Sequence, residues 1–153
     1  MVRRVFVFLG LLAACSATLA QVPADGAALF VAHCQACHQP GAVGAPGIAP
    51  PLVGNIGRHA VNEEGRRYLL HVALTGMVGS ITVDGVRYTG NMPSFAATLS
   101  DAELAAVLRH VLGSYEKVAD LAWLTPEQLA AARQAGGSPN ETHKIRGRLP
   151  AGG

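Results

Sequence analysis

Residues 33–40, His-Cys-Gln-Ala-Cys-His-Gln-Pro, put three soft ligand atoms within five residues: the sulfurs of Cys34 and Cys37 and the imidazole of His38. Such a cluster limits the fold before any other feature does, because the chain must be shaped around whatever it holds. The only other cysteine is Cys15. It lies in an N-terminal stretch with Arg3 and Arg4, an apolar run from Val5 to Leu12, and small residues after it. A basic start, a short apolar middle and a small-residue exit are the marks of a secretory signal. The run is too short for a bilayer, which needs about 20 apolar residues. Two exits are open. Thr18 and Ala20 fit cleavage before Gln21, giving a signal over 1–20; Leu-Ala-Ala-Cys fits a lipoprotein signal over 1–14, with Cys15 lipidated. Either way one cysteine pair remains for the mature chain, Cys34 and Cys37.

Three chemistries use paired cysteines. A structural zinc site needs four ligands, usually in two paired groups, and no second such pair follows. A dithiol switch belongs at the start of a helix that follows a strand, whereas this pair closes a helix with no strand before it. The third is covalent haem attachment, for which Cys-x-x-Cys-His is the signature. Cys34 and Cys37 stand one helical turn apart, so both thiols can face one edge of a porphyrin and add to its two vinyl groups. His38 then brings an imidazole under the iron. An export signal agrees with this reading, because thioether attachment takes place outside the cytoplasm.

The rest of the chain suits a cofactor-centred fold. The stretch Pro23–His38 reads as a helix capped by Asp25, and Gln39–Gly57 as a long loop with four prolines and five glycines. Val61–Gly76 reads as a second helix, apolar at Tyr68, Leu69, Val72 and Leu74. Ile81–Tyr88 is a hairpin, with Asp84-Gly85 as its type I′ turn. Ser100–Gly113 has a capping box, Ser100 to Glu103, and an apolar face of Leu104, Val107, Leu108 and Val111. Thr125–Gln134 has Thr125 as cap, Pro126 in the first turn and Gln128 to complete a second box. Residues 135–153 are polar and rich in Gly and Pro, and are expected to be disordered. Aromatic residues make up only 5% of the chain, so its own side chains under-fill a core and a bound apolar cofactor would complete it.

A haem with a single protein ligand can bind oxygen or a substrate, whereas one with two is closed and mainly moves electrons. Met77, Met92 and the remaining histidines are the candidates for the second ligand. Met77 sits in Leu-Thr-Gly-Met near a helix end, where methionine ordinarily fills a core. Met92 sits in Tyr-Thr-Gly-Asn-Met-Pro-Ser-Phe: Gly90 lets backbone approach a flat group, and Pro93 stiffens the presentation. Met92 is the preferred ligand. His33, His59, His71 and His143 have no motif around them and read as surface or core residues.

Taken together, Leu29–Pro40, Ala49–Asn55, Tyr88–Phe95 and Leu99–Tyr115 resemble the class I c-type cytochromes, in order and spacing, over about residues 24–116. The narrower likeness is to bacterial monohaem cytochromes that partner quinoprotein or molybdenum dehydrogenases or feed terminal oxidases. The resemblance implies an all-α cytochrome c fold, with several short helices wrapped around one covalent haem and a small β-hairpin before the methionine loop. The cytochrome domain would span 24–116, with a helical extension over 117–134. Cys34 and Cys37 would be the thioether anchors, and His38 and Met92 the iron ligands. The Pro50 carbonyl would accept the other ring N–H of His38, and Leu52 would pack on the haem. Gly26 and Phe30 would cross the helix of Val107 and His110, where an aromatic is usual in the place of His110.

The implied function is single-electron transfer between periplasmic redox proteins, as a free carrier or as a subunit of a dehydrogenase, with no acid, base or nucleophile. The partners would be a dehydrogenase donor and an oxidase or another cytochrome as acceptor. The alternative is a haem sensor or haem enzyme with an open iron position. Without Arg3 and Arg4 the charges balance, ten basic against ten acidic, which argues against a nucleic-acid partner. A membrane would be reached only through a lipid at Cys15. The tail keeps Arg133, Lys144, Arg146 and Arg148 against Glu141, a basic end that could dock an acidic protein.

Overall fold

A computed structural model describes residues 24–150; the signal segment and Cys15 lie outside the described residues. Helix α1, Gly26–His33, is capped by the Asp25 carboxylate, which accepts from the Ala27 and Ala28 amides at 3.0 and 3.1 Å. The chain kinks at Cys34 and runs on as a single turn, α2, Gln35–His38. The long loop carries only short structure: a tight turn at Pro40–Ala42 and a helical turn at Ile56–Val61. Helix α3, Glu63–Thr75, starts on the Asn62 side chain and stops at Gly76, where φ is +71°.

Strands β1, Met77–Val83, and β2, Val86–Met92, form one antiparallel ribbon. Asp84 and Gly85 both have positive φ, 49° and 75°, the signature of a type I′ turn. The ribbon is longer than the alternation of apolar residues predicts, and it changes two placements. Met77 does not lie at a helix end but opens β1, and Met92 closes β2 directly opposite it. Gly76 is the reason: a Cβ there would stand 2.2 Å from the Met92 carbonyl oxygen, so only glycine lets the end of α3 approach the end of β2 this closely.

Helix α4, Asp101–His110, has the full capping box between Ser100 and Glu103. It continues into a wide π turn, Val111–Tyr115, closed by the Glu116 amide on the Val111 carbonyl at 3.2 Å. Helix α5, Pro126–Ala135, begins on Thr125, whose hydroxyl accepts from the Gln128 amide at 3.3 Å. Helix α1 packs across α4, and the crossing depends on Gly26, where a Cβ would come 2.2 Å from the Ala106 carbonyl oxygen. Phe30 lies fully buried in that crossing. His110 takes the place usual for an aromatic, its ring 6.0 Å from Phe30 and 4.9 Å from Tyr115, so an imidazole edge completes the aromatic contact.

The expectation of a disordered tail is overturned. Pro139–Arg148 form helix α6, capped by Ser138 on the Glu141 amide. Ser-Pro-Asn-Glu is itself a helix start, with proline in the first turn and an acid three residues after the cap, and the glycines before it obscure that signal. Thr142, Ile145, Arg146 and Leu149 are buried, a stripe at helical spacing facing α3 and β1. The Thr142 hydroxyl meets that of Thr75 at 2.8 Å, His143 Nε2 lies 2.8 Å from the Ser80 carbonyl, and Arg148 pairs with Glu64 at 2.8 Å. Helix α6 therefore straps the ribbon to α3.

Two apolar clusters result. The larger joins α3, α4, α5 and α6 around Leu69, Leu74, Leu104, Leu112, Leu124 and Leu129, with Met77 and Met92 packed against it. The smaller contains Phe30, Ala42, Val107 and Val111, with Cys34 and Leu52 at its edge. Leu29 and Ile56 touch both.

Candidate haem site

The motif is laid out by the kink at Cys34. Its carbonyl accepts the amides of Cys37 and His38 at 3.2 and 2.9 Å, which holds the two thiols and the imidazole on one turn. Both cysteines are free; Cys34 is partly buried and Cys37 exposed. Burial, with Cys37 beside it, pushes the Cys34 thiol up to about 11. A neutral thiol is the wrong form for dithiol exchange, which needs a thiolate. Among the described residues no three His, Cys, Asp or Glu side chains converge on a place for a bare metal ion.

His38 is buried, and its Nδ1 lies 2.9 Å from the Pro50 carbonyl oxygen. A carbonyl can only accept, so Nδ1 carries the proton and Nε2 keeps its lone pair. Burial lowers the His38 pKa against the opposing effect of that hydrogen bond, so the ring is a neutral donor at ordinary pH. This is the state a metal-ligating imidazole needs, with its orientation set by the carbonyl behind it. The residues therefore fit a haem: a neutral, oriented imidazole with one free nitrogen beside two unbridged thiols.

The loop supplies Pro50 by folding back on itself. The Gly44 amide donates to the His38 carbonyl at 2.8 Å, and the Leu52 and Val53 amides donate to the Ala42 carbonyl at 2.8 and 3.2 Å. Gln39, directly after His38, sits at φ 63° and ψ 163°, a region that costs a non-glycine residue about 1–3 kcal/mol. The strain turns the chain sharply away from the imidazole. The far end of the loop is pinned by Glu116, whose carboxylate accepts the Gly57 amide at 2.7 Å and the Gly54 amide by a shorter bond. The sequence carries no sign of this carboxylate bridge. It depends on the π turn that places Glu116.

His38, Pro50 and the thiols thus come together, with Leu52 on the cluster behind Cys34. Met92 belongs to the larger cluster and is partly buried. Being paired in register, Met77 and Met92 project from one face of the ribbon, so placement alone gives both thioethers the same side. Three ties fix the chain after Met92. The Ser94 hydroxyl donates to the Leu74 carbonyl at 2.6 Å, and the Phe95 and Ala96 amides bond Ala73 and Leu74 at 3.3 and 3.2 Å. Arg133 of α5 closes the segment from outside, through Asp101 at 2.8 Å and the carbonyls of Ala96 and Leu99. The other histidines stand apart from the motif's imidazole. His33 is half-buried edge-on to Phe95, and His59 is buried against Tyr68.

Comparison with known proteins agrees with this layout. A family profile described as "Cytochrome C oxidase, cbb3-type, subunit III" matches residues 21–111. The chain is 40% identical over 134 residues to a cytochrome c-552 of Thermus thermophilus, covering 86% of this chain and 89% of the relative. A second Thermus thermophilus cytochrome c-552 is 40% identical over 129 residues, covering 82% of this chain and 97% of the relative. A motif that readies two thiols and one neutral imidazole, on a chain with these relatives, has one meaning: the protein belongs to the monohaem c-type cytochromes, electron-transfer proteins that carry covalently bound haem c.

Proposed function

We propose that the protein is a periplasmic one-electron carrier whose iron is closed on both faces, by His38 and by Met92. The observation that carries this reading is the His38–Pro50 hydrogen bond at 2.9 Å, which fixes a neutral imidazole as permanent donor. Cys34 and Cys37 would anchor the haem as thioethers, and Leu52 would pack on it. The bound haem would supply the one-electron chemistry. The chain's own residues tune that chemistry: a soft methionine sulfur and burial both favour the ferrous form and raise the potential.

Met92 is preferred over Met77 because Pro93 and the bonds from Ser94, Phe95 and Ala96 hold its backbone from one side. No acid, base or nucleophile is assigned, in keeping with an electron carrier rather than an enzyme. Among the described residues no helix is long and apolar enough to cross a membrane. Export rests on the signal-like residues 1–20, and a membrane anchor would rest on Cys15. The partners are redox proteins: a dehydrogenase or similar donor, and an oxidase or second cytochrome as acceptor, met through small transient interfaces, typically under about 1,200 Å².

The test is carbon monoxide added to the reduced holoprotein at neutral pH. The native protein should not bind it, Met92→Ala should bind it stoichiometrically with a lowered potential, and Met77→Ala should behave as native. Rapid binding by the native protein would favour the open-iron sensor or enzyme instead. Loss of closure in Met77→Ala alone would move the ligand across the ribbon.

A further inference from the structure

Between Gln39 and Gly57 only Ala42, Ala49 and Asn55 are buried, so side-chain packing does little to fix the loop that carries Pro50. Backbone bonds set its path instead. On the near side the Leu52 and Val53 amides reach the Ala42 carbonyl at 2.8 and 3.2 Å. On the far side the Asn55 and Ile56 amides close a turn on the Leu52 carbonyl at 3.1 and 2.9 Å. That turn is gripped by one side chain, Glu116, whose two carboxylate oxygens accept the Gly54 and Gly57 amides separately. A Cβ at Gly57 would stand 2.8 Å from Glu116 Oε2, so glycine is what admits the carboxylate. Glu116 follows the π turn after α4, and Lys117 beside it takes a left-handed φ of 57°, uncommon for a residue with a side chain. Tyr115, just before it, packs on the same apolar cluster as Leu52. Glu116 lies outside residues 21–111 matched by the family profile.

We propose that Glu116 is a positioning residue for His38: by gripping the turn after Pro50 it sets how closely the Pro50 carbonyl approaches Nδ1, and so tunes the potential. The inference rests on the reading of His38 as an iron ligand. A carbonyl close to the Nδ1–H makes the imidazole a stronger donor. A stronger donor favours the ferric form, so Glu116 lowers the potential, against the methionine sulfur and the burial that raise it. The carboxylate acts through loop backbone, with Pro51, Leu52 and Val53 between the gripped Gly54 amide and the Pro50 carbonyl. Its own negative charge pushes in the same direction, so geometry and charge have to be tested apart.

Variants of the holoprotein separate them. Glu116→Asp keeps the charge but is a methylene too short to hold both amides, whereas Glu116→Ala removes charge and grip together. The first reading is solvent exchange of the His38 Nδ1 proton in the reduced protein, followed by nuclear magnetic resonance. It should be about tenfold faster than native in both variants, while the Leu69 and Leu104 amides of the leucine core keep their native rates. The second is an equilibrium redox titration, in which both variants should shift about threefold toward the ferrous form. Native His38 exchange or a native potential in Glu116→Asp overturns the proposal, because charge alone would then account for any effect of Glu116→Ala. An acceleration shared equally by Leu69 and Leu104 also overturns it, since that is lost stability and nothing more. The His38 proton reports on its own face of the haem. Carbon monoxide binding by the native protein would therefore refute the closed iron site without altering these outcomes. Should Glu116→Ala not fold, Glu116→Asp decides alone.

Discussion

The segment around the motif and the segment after it are held by different means. From Gly26 to Val61 only Phe30 is a large side chain fully out of solvent; most of the order is loop backbone bonded to loop backbone, through Ala42, Gly44 and Leu52. From Glu63 to Leu149 a continuous leucine core joins four helices, and arginines such as Arg133 and Arg148 tie surface segments onto it. The second region can bury enough apolar area to order itself, each buried leucine stabilising by about 1.5–3 kcal/mol. The first cannot, and is a frame for a group that is not polypeptide.

Removing the covalent haem should separate the two regions most clearly. In a Cys34→Ala, Cys37→Ala double variant, amide hydrogen exchange should lose protection across Gly26–Val61 while α3, α4 and α5 keep part of theirs. Equal loss in both regions, or none in the first, would show that they do not differ in this way. Next in size is Gly26→Val. Its Cβ would press on the Ala106 carbonyl, and overpacking of this kind should destabilise by about 3 kcal/mol, seen as a lowered midpoint in denaturant. Arg133→Met should cost about 1–3 kcal/mol by leaving the Ala96 and Leu99 carbonyls and Asp101 without their charged donor; thermal unfolding of the holoprotein measures it. Smallest is Ser100→Ala, which removes one half of a capping box and should cost about 1 kcal/mol, confined to the region of the leucine core and leaving the haem spectrum untouched.

What is legible in the chain is local. The helix caps at Asp25, Ser100 and Thr125 and the Asp84-Gly85 turn depend on neighbouring residues, and all appear where the spacing puts them. The contact between His38 and the Pro50 carbonyl is legible only through likeness to a family, since nothing in a loop of prolines and glycines names its partner. The helical tail escapes a sequence reading because glycines at 136 and 137 and a polar composition outweigh a single capping signature; its helix is ordered by docking its buried stripe on α3 and β1. The strand position of Met77 escapes for a related reason. A helix end and a strand start look alike when one glycine divides them.

The chemistry of this protein is written in its chain: two thiols and an imidazole on one turn commit it to a covalent haem, and the caps and turn residues commit it to short helices and a hairpin. Long-range packing settled the rest. It brought Glu116 to the loop and Pro50 to the imidazole, set the two methionines opposite each other on a ribbon, and laid helix α6 on α3 and β1. Local signals act over a few residues, where backbone geometry leaves little choice. These other pairings join elements far apart along the chain, and they exist because burial of the leucine core and of Phe30 brings distant backbone together.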